Sequence, residues 1–127
     1  MALKLYLDSA ATQEITALNP DEAKGAVLAG ENFVDQQEIW MKSDDASLTY
    51  ENIEITKDST GALPAVTLEY APDNEGVPGT YVATLTPANG AYSTVYKFWR
   101  RVTKTNVTEA FTKTDVNHRV KADEYIV

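Results

Sequence analysis

No cysteine occurs in the 127 residues, so disulfides, thiolate metal sites and cysteine nucleophiles are all excluded. Histidine is almost as scarce. His118 stands alone, which removes multi-histidine metal sites and most histidine-based catalysis. Positive charge is short as well: eleven basic residues face nineteen acidic ones, a formal net charge of −8. Such a surface repels phosphate backbones, so no nucleic-acid partner is expected. No stretch approaches the roughly 20 consecutive apolar residues that span a bilayer, and no membrane partner is expected either. The first eight residues lack the charged start, apolar run and small-residue cleavage site of a signal peptide. Synthesis in a cytoplasm is the expectation.

What is present is strand chemistry. Fifteen threonines, eleven valines, five isoleucines and twelve aromatic residues favour strands, because branched and aromatic side chains fit a pleated, half-buried surface. Leu3, Leu5 and Leu7 alternate with Lys4, Tyr6 and Asp8, a strand pattern. Asn19-Pro20-Asp21-Glu22 predicts a short helix near 20–25: Asn19 as cap, Pro20 at the first helical position, Glu22 three residues on. Phe33 to Lys42 reads as extended, with Ile39 and Met41 on one face and Trp40 on the other. Ser43-Asp44-Asp45-Ala46 predicts a tight turn. Leu48, Tyr50, Ile53 and Ile55 mark a further strand whose phase slips after Tyr50, which predicts a bulge near Glu51-Asn52.

Lys57 to Pro64 reads as a polar loop and Val66, Leu68 and Tyr70 as a strand. Pro78-Gly79 suits the centre of a type II turn, leading into Tyr81, Ala83 and Leu85 in strand register. Pro87-Ala88-Asn89-Gly90 predicts another turn, Tyr92 to Val102 a long strand, and Asp115 to Tyr125 the last one. Along it Val116, His118, Val120 and Ala122 share a face. All five prolines and all six glycines fall outside these strands. About eight strands and one short helix predict an all-β protein, a single antiparallel β-sandwich or small barrel filling one domain over residues 1–127. A chain of this length buries about two-thirds of its unfolded surface, enough for an independent core.

The residues offer no recognisable chemistry. Asp73-Asn74-Glu75-Gly76 carries oxygen ligands, but a calcium loop needs alternating ligands over twelve residues and a closing glutamate; a plain turn is expected. His118 lacks a serine or cysteine partner at a recognisable spacing and is expected as a partly buried, hydrogen-bonded side chain. Asn106-Val107-Thr108 matches a glycosylation acceptor by composition alone. No catalytic residue, cofactor or metal is expected. Arg100 and Arg101 must point to opposite faces of a strand, so they cannot form one phosphate clamp; one of them can pair with acids on a neighbouring strand or across a subunit contact. Trp40 and Trp99 anchor either the core, the default, or an interface. The apolar end Tyr125-Ile126-Val127 either docks onto a neighbouring subunit or pairs with the chain's own first strand. The candidate interface residues are therefore Trp99, Arg100, Arg101, Tyr125, Ile126 and Val127.

The order of a strand at Leu3, a central Ile39-Trp40-Met41 strand, a Pro78-Gly79-Thr80-Tyr81 turn and a Phe98-Trp99-Arg100-Arg101-Val102 strand resembles the small virion proteins of tailed bacteriophages. It looks like the immunoglobulin-like sandwich of capsid decoration proteins and tail appendages, without the tryptophan–disulfide core of antibody domains. The resemblance implies a non-enzymatic virion protein, most simply a capsid decoration subunit that forms homo-oligomers and binds major capsid or tail proteins. A tail or neck component is the nearest alternative. A host- or carbohydrate-binding module, presenting Tyr50, Tyr81, Tyr92 or Trp99 as a platform, is a different class.

Overall fold

The computed structural model describes residues 1–25, 30–58, 66–107, 111–113 and 116–127. Every regular element among them is a strand: β1 (Leu3–Tyr6), β2 (Ala23–Gly25), β3 (Glu31–Ser43), β4 (Leu48–Lys57), β5 (Val66–Asn74), β6 (Val77–Pro78), β7 (Tyr96–Val107), β8 (Phe111–Lys113) and β9 (His118–Ile126). All pairings between them are antiparallel. One sheet has five strands in the order β1-β3-β7-β5-β6, and two ribbons pair β2 with β8 and β4 with β9. The protein is all-β, as the composition predicts.

Period-2 alternation sets which face is buried. Phe33, Ile39 and Met41 on β3, Leu68 and Tyr70 on β5, and Phe98 and Val102 on β7 turn to one side of the large sheet. There they share a cluster with Tyr50, Ile53 and Ile55 of β4. The β4–β9 ribbon therefore lies over that side. The β4 register shifts between Glu51 and Glu54, and Asn52 sits at φ 51°. This is the bulge expected from the sequence, and its extra residue brings Ile53 and Ile55 back to the face of Tyr50. The segment after β6 carries the chain between layers, with Val82 bridged to Tyr70, Leu85 to Ile55 and Gly90 to Tyr50.

Several expectations are corrected. The helix near 20–25 is absent, and Ala23–Gly25 is a strand on β8. The carbonyls that would propagate a helical turn serve tertiary partners instead: Asp21 C=O accepts from Val116 N–H and Glu22 C=O from Arg100. Asn19 does not cap; its side-chain amide donates to Glu14 C=O. Prolines and glycines do not all avoid strands, because Gly25, Pro72 and Pro78 lie within β2, β5 and β6. Pro72 is tolerated since its carbonyl faces away from β7 and accepts from Gly79 N–H at 2.8 Å, so its missing N–H leaves the β5–β7 ladder intact.

The tight turn is not at Pro78-Gly79 but at Glu75-Gly76, flanked by the pairs Asp73–Pro78 and Asn74–Val77. Both central residues have positive φ, 54° and 91°, the two-residue hairpin geometry that glycine suits. Residues 81–85 make isolated bridges rather than a strand, and β7 starts at Tyr96 rather than Tyr92. The last strand pairs with β4, not with the first strand. Most of the expected 57–64 loop, Thr108 of the Asn-X-Thr motif, and Asp115 lie outside the described residues.

Candidate functional site

The most polar feature of the interior is built by alternation at the middle of β7. Phe98, Arg100 and Val102 all turn to the core side, so an arginine stands where a hydrophobe is expected, and it is 0 % exposed. A guanidinium carries five N–H donors in a fixed plane, and each has an acceptor. Nε–H and one NH2 hydrogen form a fork on the two carboxylate oxygens of Asp21, at 2.8 and 2.7 Å. The second NH2 hydrogen goes to Glu22 C=O at 3.0 Å. NH1 reaches the carbonyl and the carboxylate of Asp35, at 2.9 and 2.7 Å.

Asp21 Oδ2 also receives His118 Nε2 at 2.8 Å, and His118 Nδ1 lies 2.6 Å from the Tyr70 hydroxyl. The imidazole is 1 % exposed. Burial raises the Tyr70 hydroxyl far above its ordinary value, and the Asp21 charge adds to that. The Asp21 carboxylate can only accept, so Nε2 carries the hydrogen of the bond between them. Burial alone pushes Asp21 up, but the hydrogen bonds from Arg100 and His118 outweigh it and hold the carboxyl below the usual range. Burial likewise opposes the charge on Arg100, and Asp21 and Asp35 more than restore it. A fully connected network of this kind fixes one arrangement of the segments that supply it.

Tyr70 is fully buried and the His118 side chain only 1 % exposed, so the trio joins β5, the segment before β2 and β9 from within the core. A hollow of about 390 Å³ opens between β1 and the start of β9, and Asp21 and His118 contribute to its wall. Among the described residues, no three histidine, aspartate or glutamate side chains converge to hold a metal ion.

The outer face of the large sheet is different. Trp40, Lys97, Trp99 and Arg101 stand there, so the tryptophans are half-buried on a surface rather than in the core where they were expected by default. Lys97 Nζ lies 5.2 Å from the Trp99 ring and 6.0 Å from the Trp40 ring, and pairs with Glu38 at 2.7 Å. Trp99 Nε1 donates to Asp73 at 2.9 Å, so the aspartate that opens the Asp73–Gly76 turn is engaged on this outer face. Arg101 pairs with Glu69 on β5 at 2.9 Å, with its Cζ 4.0 Å from the Tyr81 ring centre.

Of the six residues expected at an interface, Arg100 is therefore removed: it has no exposed surface to offer. Trp99 and Arg101 share the outer face. Tyr125, Ile126 and Val127 lie at the end of β9, 49 %, 84 % and 83 % exposed. The structure does not bring these two groups together as one patch, since they belong to different sheets. Among the platform candidates Tyr50 is fully buried, and the Tyr92 hydroxyl donates to Ala88 C=O. The partners of Arg100 were missed because Asp21 and Asp35 lie 79 and 65 residues from it; the available signal was a buried-parity arginine on a strand between Phe98 and Val102. No helix among the described residues is long and apolar enough to cross a bilayer. Comparison with protein-family models, curated proteins and solved structures finds no match to this chain.

Proposed function

We propose that this chain is a non-enzymatic structural subunit of a tailed-bacteriophage particle, most simply a capsid decoration protein: an immunoglobulin-like β-sandwich that stabilises a shell through protein–protein contacts. The observation that carries this reading is the end of β9, where Tyr125, Ile126 and Val127 expose three consecutive large apolar side chains. Covering such surface is favourable by about 25 cal/mol per Å², and because successive strand side chains alternate, Tyr125 offers it on one face of the ribbon and Ile126 on the other. The Arg100 cluster supports the same reading, because it ties segments distant in sequence into one rigid unit. The net charge of −8 suits an outward-facing surface and opposes packing beside DNA. Major capsid or tail proteins are the partners, and the virion is the location. A tail or neck position is the alternative within the class.

A carbohydrate- or host-binding module draws on Trp40, Trp99 and Tyr81 at the outer face. Lys97 and Arg101 lie over those rings, so the aromatic faces are occupied from within, and the contact reading is preferred. The test is molar mass by light scattering, first for the protein alone and then mixed with phage particles that lack it. Self-association or saturable particle binding is expected. Deletion of Tyr125–Val127 should weaken assembly more than it lowers the melting temperature of the monomer. A strict monomer that binds no particle overturns the proposal.

A further inference from the structure

Among the described residues β9 has one strand neighbour, β4, and its other edge is unpaired among them. The backbone phase of that edge is readable. Val127 N–H donates to Ser47 C=O across the ribbon, so residues 119, 121, 123 and 125 direct their N–H and C=O toward β4. The far side of β4 agrees, since Tyr50 and Ile55 bond Gly90 and Leu85 there. Hence His118, Val120, Ala122, Glu124 and Ile126 present theirs to the unpaired edge. The side chains of Arg119, Lys121, Asp123 and Tyr125 alternate with these and are exposed. Their order is cation, cation, anion, aromatic.

We infer that this edge pairs antiparallel with the same edge of a second copy, about a two-fold axis at Ala122. The inference rests on the reading of the C-terminal strand as the assembly surface and names its partner. Directly opposed residues in an antiparallel pair share a face, so the axis must pass through a residue. At Ala122 it sets Lys121 opposite Asp123 of the second copy, and Arg119 opposite Tyr125, each twice. Opposite charges and cation–aromatic pairs both favour this. Moved one residue either way, the axis sets Lys121 against itself or Asp123 against itself, which is repulsive. Ala122 is the smallest side chain on the strand, and all five edge-directed residues from His118 to Ile126 find hydrogen-bonding partners.

A second observation points the same way. Asp123 stands opposite Glu51 within the ribbon, a like-charge pair, and among the described residues its side-chain partner is the Asn52 amide, at 2.8 Å. Lys121 of the second copy brings a cation to this pair of acids. Edge strands that carry lysines alone resist pairing; this edge carries both signs in self-complementary order.

The full chain should sediment as a dimer, and D123K should weaken dimerisation by about tenfold or more, because two attractive pairs become repulsive. The charge swap K121D/D123K should restore it. Ala122→Cys should give a disulfide-linked dimer on mild oxidation, since the about 5.5 Å Cα separation of a hydrogen-bonded pair lies within disulfide reach. Ala17→Cys, at an exposed residue away from β9, should stay unlinked, and the absence of native cysteine makes both products unambiguous. A dimer that neither cross-links at residue 122 nor responds to the charge swap overturns the inference and leaves the assembly reading standing. So does a monomer that binds particles. A monomer that binds none overturns both.

Discussion

Arg100 and Arg101 are consecutive residues of one strand, and the sheet treats them as opposites. Arg100 is fully buried, and all five of its donors have acceptors on Asp21, Glu22 and Asp35. Arg101 has a side chain 32 % exposed, pairs with Glu69, stacks on Tyr81, and among the described residues keeps a buried Nε without a hydrogen-bond partner. Identical side chains thus become a structural node and a surface decoration through nothing but the two-residue period of a strand. The difference teaches where this chain concentrates its specificity. The inner cluster joins the stretch before β2 to β3, β5, β7 and β9, whereas the outer row links neighbours of one sheet and the Tyr81 segment beside it.

The largest effect should come from breaking the inner node. Arg100→Met leaves the carboxylate of Asp21 buried without its main counter-charge, and removing one partner of a buried pair costs about 3–5 kcal/mol. That is a large share of the roughly 5–15 kcal/mol by which domains are stable. Urea denaturation should show the midpoint falling steeply with an unchanged slope. A loss below about 1 kcal/mol would mean that the cluster is decorative.

Acid sharpens the same contrast by a smaller amount. The Asp21 carboxyl is held below its unfolded value, which is about 3.9, so between the two values the unfolded state binds more protons. Its contribution is complete above about pH 4 and is lost as pH falls through the lowered folded value. Asp8 and Asp73 are also held low, chiefly by hydrogen bonds from Thr12 and Trp99, but at partly solvated positions where solvent screens the effect. Stability measured from about pH 5 to pH 2 should therefore flatten markedly in Asp21→Asn and hardly at all in Asp8→Asn. Equal slopes in the two variants would move the acid response from the cluster to the surface.

How much of this was legible depended on range. The β3 and β9 strands, the bulge of β4 and the opposite directions of Arg100 and Arg101 follow from local periodicity, and they were readable. The fate of Asn19–Glu22 was not. Its capping signals are genuine, but a local preference of about 1 kcal/mol meets a buried arginine whose donors need the Asp21 carboxylate and the Glu22 carbonyl. Nothing within ten residues announces that arginine. The tryptophans failed for a related reason: size argues for burial, but Trp40 and Trp99 sit out of phase with Ile39, Met41 and Phe98, and parity decides over bulk. Pro72 misled because a proline excludes a central strand only on the side where its N–H is needed.

The smallest effect tests the outer row. Arg101→Met removes an exposed ion pair with Glu69, which contributes about 0.2–1 kcal/mol, and the stacking on Tyr81, which contributes about 0.5–1 kcal/mol at such sites. It also removes a buried donor without a partner, whose desolvation costs about 1–3 kcal/mol, and the methionine stem still covers the Tyr81 ring. These terms oppose one another, so stability should change by less than about 1 kcal/mol in either direction, and high salt should shrink the difference further. Measured beside Arg100→Met under identical denaturation conditions, the pair should differ by several-fold in cost for the same chemical replacement one residue apart. Comparable losses from both would place the stabilising role in the β7 strand as a whole and not in the face to which its arginines turn.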